Sequence, residues 1–303
     1  MKHSLCKVSA AAFQALLILC LSAPIAAASN FEMPTLERIV KTGKIRIGYG
    51  ATAPFSFTAP DGQIVGYSID LCRRVTEKLR ERLNIPTIEI EFVPRTPSNR
   101  IQLLNEGNID IECNSSTNTA ERRKSANFAL SHFYGATRYV SLAKNGLQTV
   151  ADLKGRSVSV ALGTVNVSDI TEINRTQKLS ISVVPVDGLQ SAFDMVKDAR
   201  VSAFAMDEVL LSMMIAQSKN PSEYSLSKEK VTEAQPYGFM MRLNDTEFAT
   251  AVNDALREIY KSPEGAEIYA RWFESQIPEI GVSLHMPMSD MLKNAFANPA
   301  SIQ

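Results

Sequence analysis

"SIDLCRRVTEKLRERLNIPTIEIEFVPRTPSNRIQLLNEGNIDIEC", residues 68–113, changes its hydrophobic period three times. In "SIDLCRRVTEKLRERL" (68–83), Ile69, Leu71, Cys72, Val75, Leu79 and Leu83 share one broad face. That is the spacing of an amphipathic helix. "TIEIEFVP" (87–94) alternates apolar and polar residues, as a half-buried strand does. "SNRIQLLNEG" (98–107) returns to the helical period, and "NIDIEC" (108–113) is the next strand. Strands that alternate with helices imply a parallel sheet covered by helices.

Upstream, "TLERIVKTG" (35–43) reads as a short helix with Thr35 at its N-cap and Gly43 as its stop. "KIRIGYG" (44–50) is a strand, and Asp61-Gly62 makes a turn between extended pieces. Downstream the alternation starts again. Strands over "RSVSVAL" (156–162), "SISVVPV" (180–186) and "VSAFAMD" (201–207) are separated by helices led by "GTVNVSDITEI" (163–173) and "SAFDMVKD" (191–198). A helix over "EVLLSMMIAQS" (208–218) follows, then an extended "YGFMMRLND" (237–245) and helices over 246–261 and 264–275. The tail from Ile277 to Gln303 has little periodicity. Two α/β units of similar size are expected.

The first residues carry Lys2 and Lys7, then an apolar run from Val8 to Leu21, then small residues through Ala28. This is the pattern of a cleavable export signal over 1–28. The run, interrupted by Gln14, is short of the roughly 20 apolar residues a membrane span needs. Leu19 is too large to precede a lipid-bearing Cys20. Processing leaves Cys72 and Cys113, which either pair in an oxidising compartment or stay as buried thiols. Lys+Arg and Asp+Glu balance at 32 each, so no overall field draws in nucleic acid or a membrane surface. No His/Cys cluster, Ser-His-Asp order or phosphate-binding glycine loop is present, and no metal or cofactor is expected.

In open α/β sheets, ligands lie beyond the carboxyl ends of the strands. The polar clusters "CNSSTNTAERR" (113–123), "ALGTVN" (161–166) and "AMDEV" (205–209) fall at such places, one in the first unit and two in the second. A cleft between two lobes is the expected site.

The ordered series "APFSF", "DGQIVGYSIDL", "NRIQLLNEGNIDIE", "SSTNTAER", "DLKGRSVSVALGT", "VSAFAMDEVLL", "YGFMMR" and "ARWF" resembles the family 3 solute-binding proteins, the periplasmic polar amino-acid receptors of ABC importers. The glutamate/aspartate-binding members are the most similar. The resemblance implies the type II periplasmic-binding-protein fold: two α/β lobes joined by two hinge strands, closing like a clamp. Lobe one is expected over 29–140 and 238–303, and lobe two over 141–237. The crossing strands are expected near Tyr139–Ala143 and Gln235–Met240.

It also implies the site. Arg122 would grip the ligand's α-carboxylate through two parallel bonds, as lysine cannot. Backbone amides near Thr117 and at Thr164–Val165 would assist it. Asp207 and Ser115 would take the ammonium, although an aspartate after a strand is also a good N-cap. Arg100 matches an arginine that meets a distal carboxylate in acidic-amino-acid binders. Thr52, where basic-amino-acid and glutamine binders carry an aromatic, also favours an acidic ligand. Other acidic-class positions differ: Gly50 stands for an arginine, Pro97 for a serine, and Leu189 for a histidine that neither His3, His132 nor His285 replaces. Arg95 is new nearby and either compensates for the missing cations or, as expected, lies at the surface.

The implied activity is capture of glutamate or aspartate in the periplasm by a monomer, and delivery to an inner-membrane permease and its ATPase. Glutamine, asparagine or another small polar amino acid is the rival ligand. An exported dehydratase on the same fold would need a general acid in the cleft, for which Glu112 and Glu208 are the nearest candidates.

Overall fold

A computed structural model describes residues 33–300 of the chain. The leader expected over 1–28 lies outside the described residues. From the first of them the chain runs α1 (Thr35–Thr42), β1 (Lys44–Tyr49), a small hairpin of β2 (Phe57–Thr58) and β3 (Ile64–Val65), α2 (Tyr67–Leu83), β4 (Glu89–Pro94), α3 (Arg100–Asn105) and β5 (Ile111–Glu112). Then come β6 (Ala126–Phe128), β7 (Phe133–Gly135), β8 (Thr137–Leu142), β9 (Ser157–Ala161), α4 (Asn166–Gln177), β10 (Ser182–Val186), α5 (Leu189–Lys197), β11 (Ala203–Asp207) and α6 (Glu208–Gln217). The chain closes with β12 (Tyr224–Leu226), β13 (Gln235–Tyr237), β14 (Met240–Arg242), α7 (Thr246–Lys261), α8 (Pro263–Tyr269) and α9 (Asp290–Ala297).

Among the described residues these strands form two five-stranded sheets, ordered β4-β1-β5-β14-β6 and β10-β9-β11-β8-β12. In the first, β1 lies between β4 and β5 and parallel to both. In the second, β9 lies between β10 and β11 in the same way. Each parallel trio continues into antiparallel strands, β14 beside β5 and β8 beside β11. The α2 face foreseen from the apolar spacing is buried at Ile69, Leu71, Cys72, Val75 and Leu79. The second lobe packs Val158, Val160, Ala203 and Ala205 against Ile170 of α4.

The link between the lobes corrects the sequence reading. Tyr139–Ala143, expected as a crossing strand, falls instead on β8 and the turn that follows it, with β8 paired to β11 and β12 in the second sheet. The crossing pair is β7 with β13, six residues earlier, antiparallel and outside both five-stranded sheets. The second expected crossing, Gln235–Met240, does contain β13.

Cys72 of α2 and Cys113, one residue past β5, form a disulfide across a Cα separation of 6.4 Å. It ties the start of the Asn114–Thr117 loop to a buried helix. The tail is less irregular than its sequence suggested: Ser289 caps α9, which buries Leu292 and Phe296. Among the described residues no helix is long and apolar enough to cross a membrane.

Candidate functional site

The carboxyl ends of both parallel trios face one cavity. Its wall includes Arg95 and Arg100 from the segment after β4, Ser115 and Thr117 after β5, and Thr164 and Val165 after β9. Leu189 at the start of α5 and Asp207 at the end of β11 add to the second lobe's side, and Arg122 to the first's. Strand ends supply these positions because backbone groups there have left the sheet ladder and side chains can converge.

Asp207 is 4% exposed. One carboxylate oxygen accepts from Asn166 Nδ2 at 2.8 Å, and the other accepts from the Tyr237 hydroxyl. Tyr237 belongs to crossing strand β13, so the hinge touches the site directly. Its ring passes over Gly135 of β7, where a Cβ would lie 2.2 Å from the hydroxyl oxygen. Burial, the largest influence, raises the Asp207 carboxyl above its ordinary value against those two hydrogen bonds.

Arg122 is half-buried in a short 3₁₀ turn, Arg122–Lys124. Its Nη1 donates to the Thr117 carbonyl at 3.0 Å and its Nη2 to the Gly163 carbonyl, also at 3.0 Å. Arg100 Nη2 donates to the same Gly163 carbonyl at 3.1 Å. Two guanidiniums of the first lobe therefore meet one carbonyl of the second. Burial first, and then the neighbouring Arg122, push Arg100 well below its ordinary proton affinity. Its Nε is buried without a hydrogen-bond partner. An anion beside this pair would relieve both penalties.

All seven residues expected from the sequence, Arg100, Ser115, Thr117, Arg122, Thr164, Val165 and Asp207, line this cavity together. Thr52, Pro97 and Leu189 line it as well. Arg95 is a correction. Expected at the surface, it is 8% exposed, on the cavity wall, and ion-paired with the wholly buried Glu112. Asn166 was missed, although it ends the "ALGTVN" cluster and holds Asp207. His132 is fully buried and, by that burial, pushed down to about 3. It is therefore neutral and brings no charge to the cleft. Glu112 and Glu208, the candidate proton donors, are absent from the cavity wall and face Arg95 and Arg138 instead. Among the described residues no cluster of His, Cys, Asp and Glu is placed to hold a metal ion.

The raised Asp207 carboxyl has a measurable consequence. In the free protein the folded carboxyl holds its proton more tightly than the unfolded one, so stability falls as pH rises through the raised value. A bound ammonium favours the carboxylate and reverses the shift. Binding should then release protons as pH falls toward the raised value, and affinity should weaken as pH falls through it. Calorimetry in buffers of different ionisation enthalpy should record that release for the native chain and lose it in Asp207→Asn. A release that persists in the variant removes Asp207 from the ammonium site.

The chain matches the family model described as bacterial extracellular solute-binding proteins, family 3, over residues 45–275. It is 34% identical to the L-glutamate/L-aspartate-binding protein of Pseudomonas aeruginosa over 281 residues, 92% of each chain. It is 32% identical to the glutamate/aspartate import solute-binding protein of Salmonella typhimurium, across 94% of this chain and 95% of that one. Among solved structures, an ancestral arginine-binding protein bound to arginine superposes with a TM-score of 0.69 at 27% identity. That match covers 76% of this chain and 98% of the other.

Proposed function

Since the chain belongs to family 3 of the bacterial extracellular solute-binding proteins, we propose that it is the receptor of an ABC amino-acid importer. It captures glutamate or aspartate between its lobes in the periplasm and hands it to a membrane permease driven by an ATPase. Its relatives' names support both the transport role and the ligand class.

The observation that carries the ligand class is the charge of the cavity. Arg95, Arg100 and Arg122 line it opposite Asp207, and Glu112 lies behind Arg95. Arg95 is ion-paired with Glu112, whereas the hydrogen bonds of Arg100 and Arg122 go to backbone carbonyls. An acidic amino acid brings one carboxylate to each of these two guanidiniums and leaves Asp207 for its ammonium. A neutral amino acid would leave one of the two without an anion in a closed cleft, which is costly. In the proposed pose Arg122 holds the α-carboxylate with help from the amides near Thr117 and Thr164–Val165. Asp207 and Ser115 take the ammonium, and Arg100 faces the distal carboxylate.

One observation favours the rival, glutamine or asparagine. Pro97 and Leu189 give part of the wall an apolar surface with no donor for a second carboxylate. A calorimetric titration of the exported chain against the twenty amino acids separates the two. Glutamate or aspartate should bind at least about tenfold tighter than its amide, a difference of about 1.4 kcal/mol. Tighter binding of an amide, or turnover of a cyclohexadienyl substrate, would replace this reading.

A further inference from the structure

Arg95 is not one of the seven residues expected to bind the ligand, and its surroundings give it a function. It follows β4 and extends that strand's parallel register, its backbone N–H donating to the Tyr49 carbonyl at 2.8 Å. This places the side chain over the end of β1, where residue 50 is a glycine. A Cβ on Gly50 would lie 3.2 Å from Arg95 Cζ and Nη1 and 2.9 Å from Asn114 Nδ2. The Arg95 guanidinium thus fills the space that a side chain at position 50 would enter. Its side chain is 3% exposed, and its ion-pair partner Glu112 is wholly buried. Neither Glu112 oxygen has a hydrogen-bond partner, and neither does Arg95 Nε. Arg95 is on the cavity wall while Glu112 is not. A guanidinium carries five donors. Glu112 faces one terminal nitrogen, and the cavity is the open side.

We propose that Arg95 is a specificity-determining residue, the second cation, beside Arg100, for the ligand's distal carboxylate, with Glu112 as the positioning residue that holds its guanidinium over Gly50. This rests on the reading of the cavity as an acidic-amino-acid site. Two guanidiniums from one strand-to-helix segment then converge on the distal group, and Pro97 between them in sequence keeps that segment short of competing donors. The alternative role is a purely internal brace in which Arg95 neutralises Glu112 and no ligand senses it.

The test titrates L-glutamate and L-glutamine into the native chain, into Arg95→Gln with Glu112→Gln, and into Arg95→Lys. The double variant removes the pair without stranding a buried charge. Its affinity for glutamate should fall at least about tenfold, as expected for a lost charge-assisted bond to a buried anion. Glutamine should stay within about threefold. Arg95→Lys keeps a cation opposite Glu112 and so guards against a folding defect, and it should weaken glutamate alone through loss of the planar fork. Equal weakening of both ligands, or of neither, overturns the role of Arg95. Native protein that takes glutamine but no acidic amino acid overturns the functional reading itself, and this role with it.

Discussion

Arg122→Ala should lose binding of every amino-acid ligand while its melting transition stays cooperative. The side chain is assigned the α-carboxylate, the one group all amino acids share, so no choice of ligand can evade its loss. Stranding a carboxylate in a closed cleft costs about 3 kcal/mol or more, more than a hundredfold in affinity. The same truncation removes the donors to Thr117 and Gly163, of which the latter spans the two lobes. The fold survives because the 3₁₀ turn that carries Arg122 contains no buried residue. Calorimetry and thermal melting on one sample check both halves. Affinity within about threefold of the native value, under about 1 kcal/mol, would show that another group holds the carboxylate.

Gly163→Ala has nearly as large an expected effect for a different reason. Gly163 has φ +77, and a Cβ there would lie 2.6 Å from the carbonyl carbon and oxygen of Pro97 and 2.7 Å from Ser98 N. Those atoms are backbone of the opposite lobe and cannot rotate away. The left-handed conformation alone costs an alanine about 1–2 kcal/mol. The overlap adds to this only when the lobes are shut. The variant should therefore fold, melt slightly earlier, and bind at least about a hundredfold more weakly, because only the closed form makes the full contact set. Small-angle scattering should record a radius of gyration that shrinks with glutamate in the native chain and stays fixed in Gly163→Ala. Native-like affinity and compaction in the variant would mean that this contact does not belong to the liganded state.

Much of the fold was legible because periodicity is a local property. The face of α2 could be read from Ile69 to Leu79, and the glycine-led entry to α4 from "GTVN". What was not legible depends on partners distant in sequence. "HFYGATRYVSLA" is β-rich throughout, and only the pairing of β7 with β13 and of β8 with β11 decides which half crosses between lobes. α9 was missed because it buries little beyond Leu292 and Phe296, one turn apart, which is too short a pattern to stand out. The seven site residues could be named because the ordered motifs resemble those of the family; the alternation by itself marked only the strand ends where polar clusters fall. Arg95 also follows a strand end, yet its burial depends on two residues that the sheet order β4-β1-β5 brings beside it, Gly50 and Glu112. The sequence marked Arg95 as a cation near the site, but an isolated arginine in "FVPRTPSN" carries no sign of its burial.

A crystal structure of the chain grown with L-glutamate tests the central claim, that a cavity lined by Arg95, Arg100 and Arg122 opposite Asp207 takes an acidic amino acid in one orientation. The expected density shows the α-carboxylate on Arg122, the ammonium between Asp207 and Ser115, and the distal carboxylate facing Arg100 and Arg95. A ligand reversed in the cleft, with its ammonium away from Asp207, would contradict it, and so would a distal carboxylate turned toward solvent.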